Sequence, residues 1–362
     1  MKEESAEKIV SIQEKIAYDF AKKLLLWNRY DNNREMPWKG EKDPYKIWLS
    51  EVILQQTRVE QGLKYYQNFI ETFPDIHTLA ASPETKVFKL WEGLGYYSRC
   101  RNLIQSAKYI SKELNGVFPR RYDEILSLKG IGNYTAAAIA SFAYNLPYAV
   151  LDGNVFRVLS RIFDIEIPID SAKGKKTFSA LAQNTLHEKR AGEYNQGIMD
   201  FGAVICKPVP ICDECFFNNR CRAYLMGKQQ LLPIKEKKNK IRKRWLNYFI
   251  VMCGDEVLVQ QRTDKDIWQG LHQFVLIETK KDAAKKNLDD LFKKQFGIEN
   301  FFLQKNWKEK QQLSHQTICF HFIVMKVTRK EKVQNFAWTK LSDTQKLAFP
   351  KTLQQAIRLH LL

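Results

Sequence analysis

The chain has 362 residues, more than one ordinary hydrophobic core organises, so its length favours two domains. Hydrophobic residues make up 44% of the sequence, which excludes a disordered chain. Lysine and arginine outnumber aspartate and glutamate by 58 to 40, which gives a formal net charge of +18. This excess favours a polyanionic partner, nucleic acid before an anionic membrane, although a solvated lysine-rich surface would produce the same count.

The sequence contains no apolar run as long as a membrane span, and residues 1–15 lack the apolar core of a signal peptide. We therefore expect an intracellular protein, cytoplasmic and nucleoid-associated if the source is bacterial. In a reducing compartment, clustered cysteines indicate metal ligands rather than disulfides.

The pattern of apolar residues changes once along the chain. Over residues 11–225 they recur every three or four positions, which predicts an all-α region. Residues 235–244 then carry seven basic side chains in ten. Four strand-like runs follow, at 248–253, 256–261, 273–278 and 317–327. A helical segment at 282–296 lies between the third and the fourth run. We predict a helical domain over 1–228, a basic linker over 229–244, and a mixed α and β domain over 245–362.

Four cysteines lie within sixteen residues, in the pattern C-x5-C-x2-C-x5-C, at Cys206, Cys212, Cys215 and Cys221. Four thiolates so close in sequence are suited to one zinc ion or one iron–sulfur cluster. Zinc ribbons usually carry two short C-x2-C pairs, and here only one pair has that spacing. The asymmetric spacing therefore leans towards a [4Fe–4S] cluster held by the loop 206–221.

A glycine-rich turn joins two predicted helices at residues 128–138, which read LKGIGNYTAAA. Gly130 and Gly132 allow a tight turn and a close approach of the backbone to a ligand. Asn133 is suited to cap the helix that follows, and the free amides at a helix start are suited to a phosphate. In a basic chain, this turn predicts binding of DNA phosphates without sequence preference.

Glu51 lies in a strongly helical and mostly apolar stretch, residues 45–57. Its neighbours three and four positions away on a helix are mainly apolar: Ile47, Trp48, Leu54 and Gln55. A carboxyl in that environment would lose solvation and its pKa would rise, which suits a general acid. Helical periodicity alone leaves open a solvent-facing glutamate.

Asp152 stands between an apolar pair and a helix-like run, in the segment 150–161. Asp152 or Asn154 is suited to cap that helix. A second carboxylate near a cation-like transition state would complete, with Glu51, the acid and stabiliser pair that cleavage of a glycosidic bond requires.

Residues 38–221 resemble the helix-hairpin-helix DNA glycosylases that carry an iron–sulfur cluster. Five segments resemble, more narrowly, the MutY family of adenine DNA glycosylases: SEVILQQT (50–57), WEGLGYYSR (91–99), LKGIGNYTA (128–136), LDGNV (151–155) and NQGIMDFGAVIC (195–206). The resemblance implies a base-excision enzyme that acts as a monomer on double-stranded DNA. It would flip out an adenine mispaired with 8-oxoguanine or guanine and hydrolyse its N-glycosidic bond.

The resemblance also assigns roles within the pocket. Glu51 would protonate adenine, and Asp152 would stabilise the oxocarbenium ion or bond transiently to the sugar. Asn154 would position the attacking water. Tyr134 and Gln196 would line the adenine and sugar pocket.

Two further residues, Gln55 and Tyr96, would wedge into the duplex beside the flipped base.

In the related endonuclease III-like glycosylase/lyases, a lysine of the hairpin helix forms a Schiff base. Tyr134 stands at that position here, which favours a glycosylase without lyase activity, although Lys129 is close by in sequence. A DNA-binding protein without enzymatic activity is the second alternative, but it leaves the segments around Glu51 and Asp152 unexplained.

The C-terminal region resembles the Nudix-like domain of the same family, which reads 8-oxoguanine. By this resemblance, Ser314 and His315 would contact the oxidised base, while Leu313 replaces the phenylalanine that the family often has. The acidic box with which Nudix hydrolases hold magnesium is replaced by a helix that carries Lys293 and Lys294. We therefore expect no nucleotide hydrolysis.

One departure concerns the cysteines. The family usually has six residues between the first two ligands, and this chain has five, between Cys206 and Cys212. We expect the loop to absorb this deletion, although it weakens the prediction of a stable cluster. The complete prediction is a multidomain chain, an all-α helix-hairpin-helix glycosylase domain followed by a Nudix-like α+β domain.

Overall fold

The computed structural model describes residues 2–236 and 241–361. Contacts divide the chain into two compact units, one of Met1–Ala80 with Gln105–Lys237 and one of Ala81–Ile104 with Lys238–Leu362. This division differs from the sequence-based boundaries because residues 81–104 group with the second unit. There, Glu92 accepts a hydrogen bond of 2.8 Å from the backbone of Phe349. Part of the expected linker 229–244, residues 237–240, lies outside the described residues.

The first unit is helical, as predicted. It contains α1 (Lys2–Tyr30), α2 (Pro44–Leu54), α3 (Val59–Thr72), α4 (Ile76–Ala81), α7 (Tyr122–Ser127), α8 (Asn133–Tyr144), α9 (Gly153–Phe163), α10 (Ala172–Thr185), α11 (Ala191–Val204) and α12 (Arg222–Leu225). Two more helices are α5 (Glu84–Trp91), which belongs to the second unit, and α6 (Tyr97–Glu113), which begins in the second unit and ends in the first.

Polar side chains fix where several of these helices begin. Asp43 caps α2 and is followed by Pro44 in the first turn, where the missing amide of proline is not needed. Ser171 caps α10 by accepting a hydrogen bond from the amide of Gly174. Asn145 ends α8 in the left-handed conformation.

The core of the first unit is rich in aromatic rings. Phe20 and Trp27 of α1 pack edge-on against Phe201 of α11, with ring centroids 6.0 and 5.5 Å apart. Phe217, which follows the third cysteine of the loop, packs edge-on against Phe20 at 5.3 Å. The cysteine loop is therefore anchored in the main core of this unit.

The second unit is built on a mixed sheet. Its strands and long helices are β1 (Arg242–Cys253), β2 (Glu256–Gln261), β3 (His272–Gln273), β4 (Val275–Thr279), α13 (Lys285–Phe296), β5 (Phe302–Gln312), β6 (Gln316–Lys326), β7 (Ala337–Lys340) and α14 (Lys351–His360). The strand order is β3-β2-β1-β6-β5, with β4 paired to β1 and β7 paired to β2. The pair β1 and β6 is parallel, and the other pairs are antiparallel.

Alternate residues of β1 enter two separate cores. Tyr248 and Ile250 lie in one core together with Leu353 of α14, while Phe249 lies in the other together with Phe292 of α13. The two helices therefore cover opposite faces of the sheet, as the period-two alternation of a strand requires. The predicted fold class, a helical domain followed by a domain of mixed α and β type, is confirmed.

Two strands, β5 and β7, have no counterpart among the predicted strands. β5 is an edge strand of the sequence FLQKNWKEKQQ, and most of its side chains are exposed, so it has no apolar alternation to detect. Across the part of the chain that the structure describes, no helix combines the length and the apolar character that crossing a membrane requires.

The close packing of α11 against α8 leads to a prediction about the stability of the first unit. A Cβ atom at Gly192 of α11 would lie 2.6 Å from the backbone oxygen of Ser141 in α8, so a Gly192→Ala variant must push two helices apart. We expect the free energy of unfolding to fall by about 1–3 kcal/mol. Thermal and urea denaturation measure this loss.

Gly153 is the matched control, because a Cβ atom there has no neighbour within 4 Å. Gly153→Ala should leave stability unchanged or raise it by up to about 1 kcal/mol. An equal loss of stability in both variants would show that packing against Ser141 is not the cause.

Candidate active site

A cavity of about 770 Å³ opens in the first unit between α2, α8, α11 and the start of α9. Six of the residues that the sequence analysis selected line it together: Glu51, Gln55, Tyr134, Asp152, Asn154 and Gln196. They come from four segments that are far apart in sequence, so the tertiary fold gathers them.

Glu51 is buried, with 8% of its surface exposed, because α2 is enclosed on nearly every side. Its neighbours Ile47 and Trp48 are buried as well. Loss of solvation raises the pKa of the Glu51 carboxyl to about 7, and the nearby Asp152 adds to this increase. A hydrogen bond from the Tyr134 hydroxyl acts in the opposite direction. The carboxyl therefore holds a proton up to about neutral pH.

Asp152 is the N-cap of α9. One carboxyl oxygen accepts a hydrogen bond of 2.8 Å from the amide of Val155, and the other accepts one of 2.9 Å from the side chain of Asn154. Burial raises the pKa of Asp152, whereas these two hydrogen bonds lower it. The capping role, which the sequence alone suggested, thus coexists with a position in the cavity.

Arg157, one turn further along α9, connects the cysteine loop to Asn154, the residue that hydrogen-bonds to the Asp152 carboxyl. Its guanidinium donates to the side-chain oxygen of Asn154 at 2.8 Å and to the backbone oxygen of Cys206 at 2.8 Å. A third hydrogen bond, of 2.7 Å, goes to the backbone of Gly202. Arg157 was not predicted as a site residue, although its position five residues after Asp152 was a usable signal.

Tyr134 and Gln55 lie beside Glu51 from different helices. The Tyr134 hydroxyl is 3.4 Å from the Met199 sulfur, a weak acceptor, and it also hydrogen-bonds to the Glu51 carboxyl. Burial and the two carboxyls raise the pKa of Tyr134. Gln55 donates a hydrogen bond of 3.2 Å to the Thr135 hydroxyl.

A second polar group in the cavity centres on Asp200 of α11, which is fully buried. It accepts a hydrogen bond of 3.0 Å from the Gln196 side chain, which lies one turn earlier. Arg34 and Lys39 form ion pairs with it at 2.7 and 3.2 Å. These three charged residues were not predicted, and the signal that was available is an aspartate within the apolar helix α11.

The glycine turn precedes α8. Gly130 adopts a positive φ of 81°, which glycine accommodates without strain. Gly132, and not Asn133, is the N-cap, and α8 starts at Asn133 without a side-chain cap. The expected Asn133 cap was therefore wrong, because Asn133 already has helical geometry. The backbone amides at this helix start are left for another acceptor.

No disulfide links the four cysteines of the loop 206–221, and their side chains line one small cavity. Arg161 of α9 is buried against this loop. It donates to the backbone oxygens of Lys207 and Pro208 at 2.7 and 2.9 Å, and it lies 3.5 Å from the sulfur of Cys206. Arg161 was also missed by sequence analysis.

Four thiols around one cavity are the donor set of an iron–sulfur cluster or of a zinc ion. Among the described residues, no group of three His, Cys, Asp or Glu side chains is arranged to hold one metal ion. Burial raises the pKa of Cys215 to about 12 and that of Cys221 to about 11, and a bound cationic group would favour their thiolate forms.

Tyr96, Ser314 and His315 do not line the cavity and lie in the second unit. Tyr96 is 40% exposed and has a positive φ of 46°, a strained conformation outside glycine. Its hydroxyl donates a hydrogen bond of 3.1 Å to the Ser314 hydroxyl, which lies 3.2 Å from a ring nitrogen of His315. Leu313 packs against the core of this unit.

Comparison with known proteins identifies the family. Residues 49–183 match the HhH-GPD superfamily of base excision DNA repair proteins, and residues 247–359 match the NUDIX domain. The adenine DNA glycosylase of Buchnera aphidicola subsp. Baizongia pistaciae is 34% identical over 349 residues, which cover 93% of this chain and 95% of that protein. The chain belongs to the adenine DNA glycosylase family.

Other members and a solved structure agree with this membership. The adenine DNA glycosylase of Buchnera aphidicola subsp. Schizaphis graminum is 31% identical over 350 residues, 94% of this chain and 99% of that protein. A thermostable thymine-DNA glycosylase matches with a TM-score of 0.54 and 28% identity over 59% of this chain and 98% of that one. This adenine DNA glycosylase family member is therefore a DNA N-glycosylase, a hydrolase, as the resemblance predicted.

The buried carboxyl of this glycosylase predicts a pH-dependent stability. The pKa of Glu51 is about 7 in the folded chain and 4.5 ordinarily, so the folded state holds more protons between these values. The free energy of unfolding should therefore fall, by about 3 kcal/mol, as the pH rises from about 4.5 to about 7. Because glutamine does not titrate, Glu51→Gln should lack this loss.

Urea denaturation of both proteins at several pH values measures the difference. Glu60→Gln, on an exposed position of α3, is the control for removal of one carboxyl group. A stability difference between Glu51→Gln and the unmodified protein that stays constant from pH 4 to pH 8 would contradict the raised pKa.

Proposed function

We propose that this protein excises adenine paired with 8-oxoguanine or guanine in duplex DNA, as a glycosylase without lyase activity in base excision repair. The observation that carries the proposal is the pair of enclosed carboxyls in one cavity, Glu51 protonated near neutral pH and Asp152 beside it. Repair of chromosomal DNA would place this activity inside the cell.

The proposed chemistry begins with a flipped base, because the glycosidic bond of a stacked adenine is out of reach. Glu51 donates its proton to the adenine ring, so that the base leaves as a neutral molecule rather than as an anion. Tyr134, hydrogen-bonded to Glu51, orients that carboxyl. Charge develops on the sugar as the bond breaks, and the Asp152 carboxylate stabilises it.

Water then adds to the sugar and loses a proton to the Glu51 carboxylate, which restores the acid and completes the hydrolysis. Asn154 holds Asp152 in place through a 2.9 Å hydrogen bond, and we propose that the second N–H of the same amide group directs the water to the sugar. Gln196, fixed by Asp200, faces the same cavity and is suited to hydrogen-bond the edge of the base. Gln55, at the end of α2, is placed to enter the gap that the flipped base leaves.

A lyase reaction requires a lysine amine free to attack the sugar. Lys129 is exposed and does not line the cavity. Two cavity lysines are engaged, Lys39 with Asp200 and Lys42 with the backbone oxygen of Phe142 at 2.9 Å. This arrangement supports hydrolysis without a Schiff base.

DNA binding would use both units. Gly130 and Gly132 expose the start of α8, which is suited to a phosphate. In the second unit, Tyr96 is suited to stack between bases, and Ser314 with His315 is suited to hydrogen-bond an oxidised guanine. The hydrogen bond between Tyr96 and Ser314 supports a shared role for these residues.

The cysteine loop is proposed to hold one [4Fe–4S] cluster through Cys206, Cys212, Cys215 and Cys221. Such a cluster would supply structural support rather than chemistry at the sugar. The loop, in turn, supports α9 through Arg157 and Arg161.

Cleavage of a defined duplex tests the proposed reaction. A duplex with adenine opposite 8-oxoguanine should break at that adenine after treatment with hot alkali, and borohydride should trap no covalent complex. Glu51→Gln should bind the duplex but excise adenine about 100-fold to 10,000-fold more slowly, because it lacks the general acid. Glu60→Gln serves as the matched control and should excise at the unmodified rate.

The excision rate should also fall as the pH rises through about 7, where Glu51 loses its proton. Excision of thymine but not adenine, or strand breakage without alkali, would contradict the proposal.

Metal analysis tests the cluster. The purified protein should be brown, absorb at the blue end of the visible spectrum and contain about four iron atoms per chain. Cys215→Ser should lower the iron content and the melting temperature, because it removes one ligand. Cys253→Ser, outside the loop, is the control and should keep both. A colourless protein with one zinc ion per chain would refute the cluster.

A further inference from the structure

One half of a sheet face in the second unit is accessible and basic. It is formed by alternate residues of β1, β5 and β6, and we call it the open sheet face: Lys243, Trp245, Lys308, Lys310, Gln312, Thr317 and Cys319. Each of these side chains is exposed or half-buried. Further along the same face, Phe249 and Ile323 are buried with Phe292 of α13.

Strand register brings these side chains together. Lys243 pairs with Thr317 and Trp245 with Cys319 across β1 and β6. Across β6 and β5, Thr317 pairs with Gln312 and Cys319 with Lys310. Two rows of side chains therefore run across three neighbouring strands, which places Lys243 about 10 Å from β5.

The charge of this face is positive. Lys243 lies 5.0 Å from the ring of Trp245. Neither Lys243 nor Lys310 forms an ion pair among the described residues. Lys308 forms an ion pair with Asp282 at 2.8 Å. Lys243 thus lies against a half-buried aromatic ring, and Lys310 lies two strands away in the same row as Trp245.

Protection of the sheet edge accounts for one of these lysines. Lysines on an exposed edge strand commonly prevent pairing with another chain, and that explains Lys310 on β5. Lys243 lies near the start of β1, where β6 is paired on one side and β4 joins the other side only from Trp245 onward. Lys243 therefore stands at the end of the sheet, beside the residue whose amide binds His315.

The open sheet face also adjoins the turn that carries Ser314 and His315. Gln312 and Thr317 are joined by a 2.6 Å hydrogen bond and directly flank this turn. The amide of Arg242, next to Lys243, donates to the backbone oxygen of His315 at 3.1 Å. A polyanion that reaches the turn would therefore lie beside Lys243.

We propose that the open sheet face binds the phosphate backbone of duplex DNA beside the turn at Ser314 and His315, through Lys243 and Lys310. This inference rests on DNA as the ligand of the protein and extends the binding surface beyond the turn. Lysine ammonium groups attract phosphates without sequence preference, so the contact contributes affinity and salt dependence rather than recognition of a base.

The test compares two pairs of lysines. Lys243→Ala with Lys310→Ala removes two charges from the open sheet face, and Lys340→Ala with Lys351→Ala removes two charges elsewhere in the same unit. The ligands are a duplex with adenine opposite 8-oxoguanine and an unmodified duplex of the same length. Affinity is measured at several salt concentrations.

For the open sheet face pair, we expect affinity at low salt to fall about tenfold or more for both duplexes. The slope of log affinity against log salt should become shallower by about 2, since each lost phosphate contact contributes about 0.9. Lys243→Arg with Lys310→Arg should restore both values. The control pair should match the unmodified protein.

Equal affinities and equal slopes for the open sheet face pair and the unmodified protein would overturn the proposal and leave an acidic protein partner as the better explanation. A loss confined to the 8-oxoguanine duplex would also overturn it, because phosphate contacts are common to both. Excision by the unmodified protein is assayed separately, so failure of adenine excision would not be mistaken for failure of this contact.

Discussion

Enclosure of two carboxyl groups in one cavity is the constraint on which the rest of the first unit depends. Glu51 is surrounded by buried side chains of its own helix, and ionising it there is unfavourable, which is why its pKa rises to about 7. A pKa shift of this size corresponds to a change of about 3 kcal/mol in the free-energy difference between the protonated and ionised forms. The surrounding helices must be stable enough to hold such a group in place, and the aromatic core of α1 and α11 supplies that stability.

Helix α9 connects the cavity to the cysteine loop. Asp152 caps its first turn, Arg157 donates to the backbone of Cys206, and Arg161 donates to the next two residues of the loop. The start of this helix therefore cannot move independently of the loop. The shorter spacing between Cys206 and Cys212 leaves these contacts intact, because Arg161 binds backbone oxygens at the beginning of the loop.

The second unit combines two different uses of one sheet. Helices α13 and α14 bury opposite faces, and residues 81–104 add to the same unit through Glu92 and Lys89. The remaining half of one face carries lysines instead of a core. Tyr96 is held within this unit in a strained backbone conformation, with its hydroxyl on Ser314. Strain of this kind persists only where the surroundings enforce it.

The sequence by itself determined the helical and mixed regions, the enzyme family and six of the residues that line the cavity. Helical periodicity, the Asp152 cap and the apolar neighbours of Glu51 are local signals, and local signals are readable without a fold. The role of Asn133 was misjudged because one residue separates a cap from the first helical turn.

Only the tertiary structure decided which distant residues meet. Asp200 pairs with Arg34 and Lys39 across more than 160 positions, and Arg157 reaches a backbone oxygen 49 positions away. Strand β5 could not be predicted from the sequence, because an exposed edge strand needs no apolar alternation. The assignment of residues 81–104 to the second unit likewise depends on contacts with residues near 349. Such pairings arise from packing between distant segments, which no local pattern records.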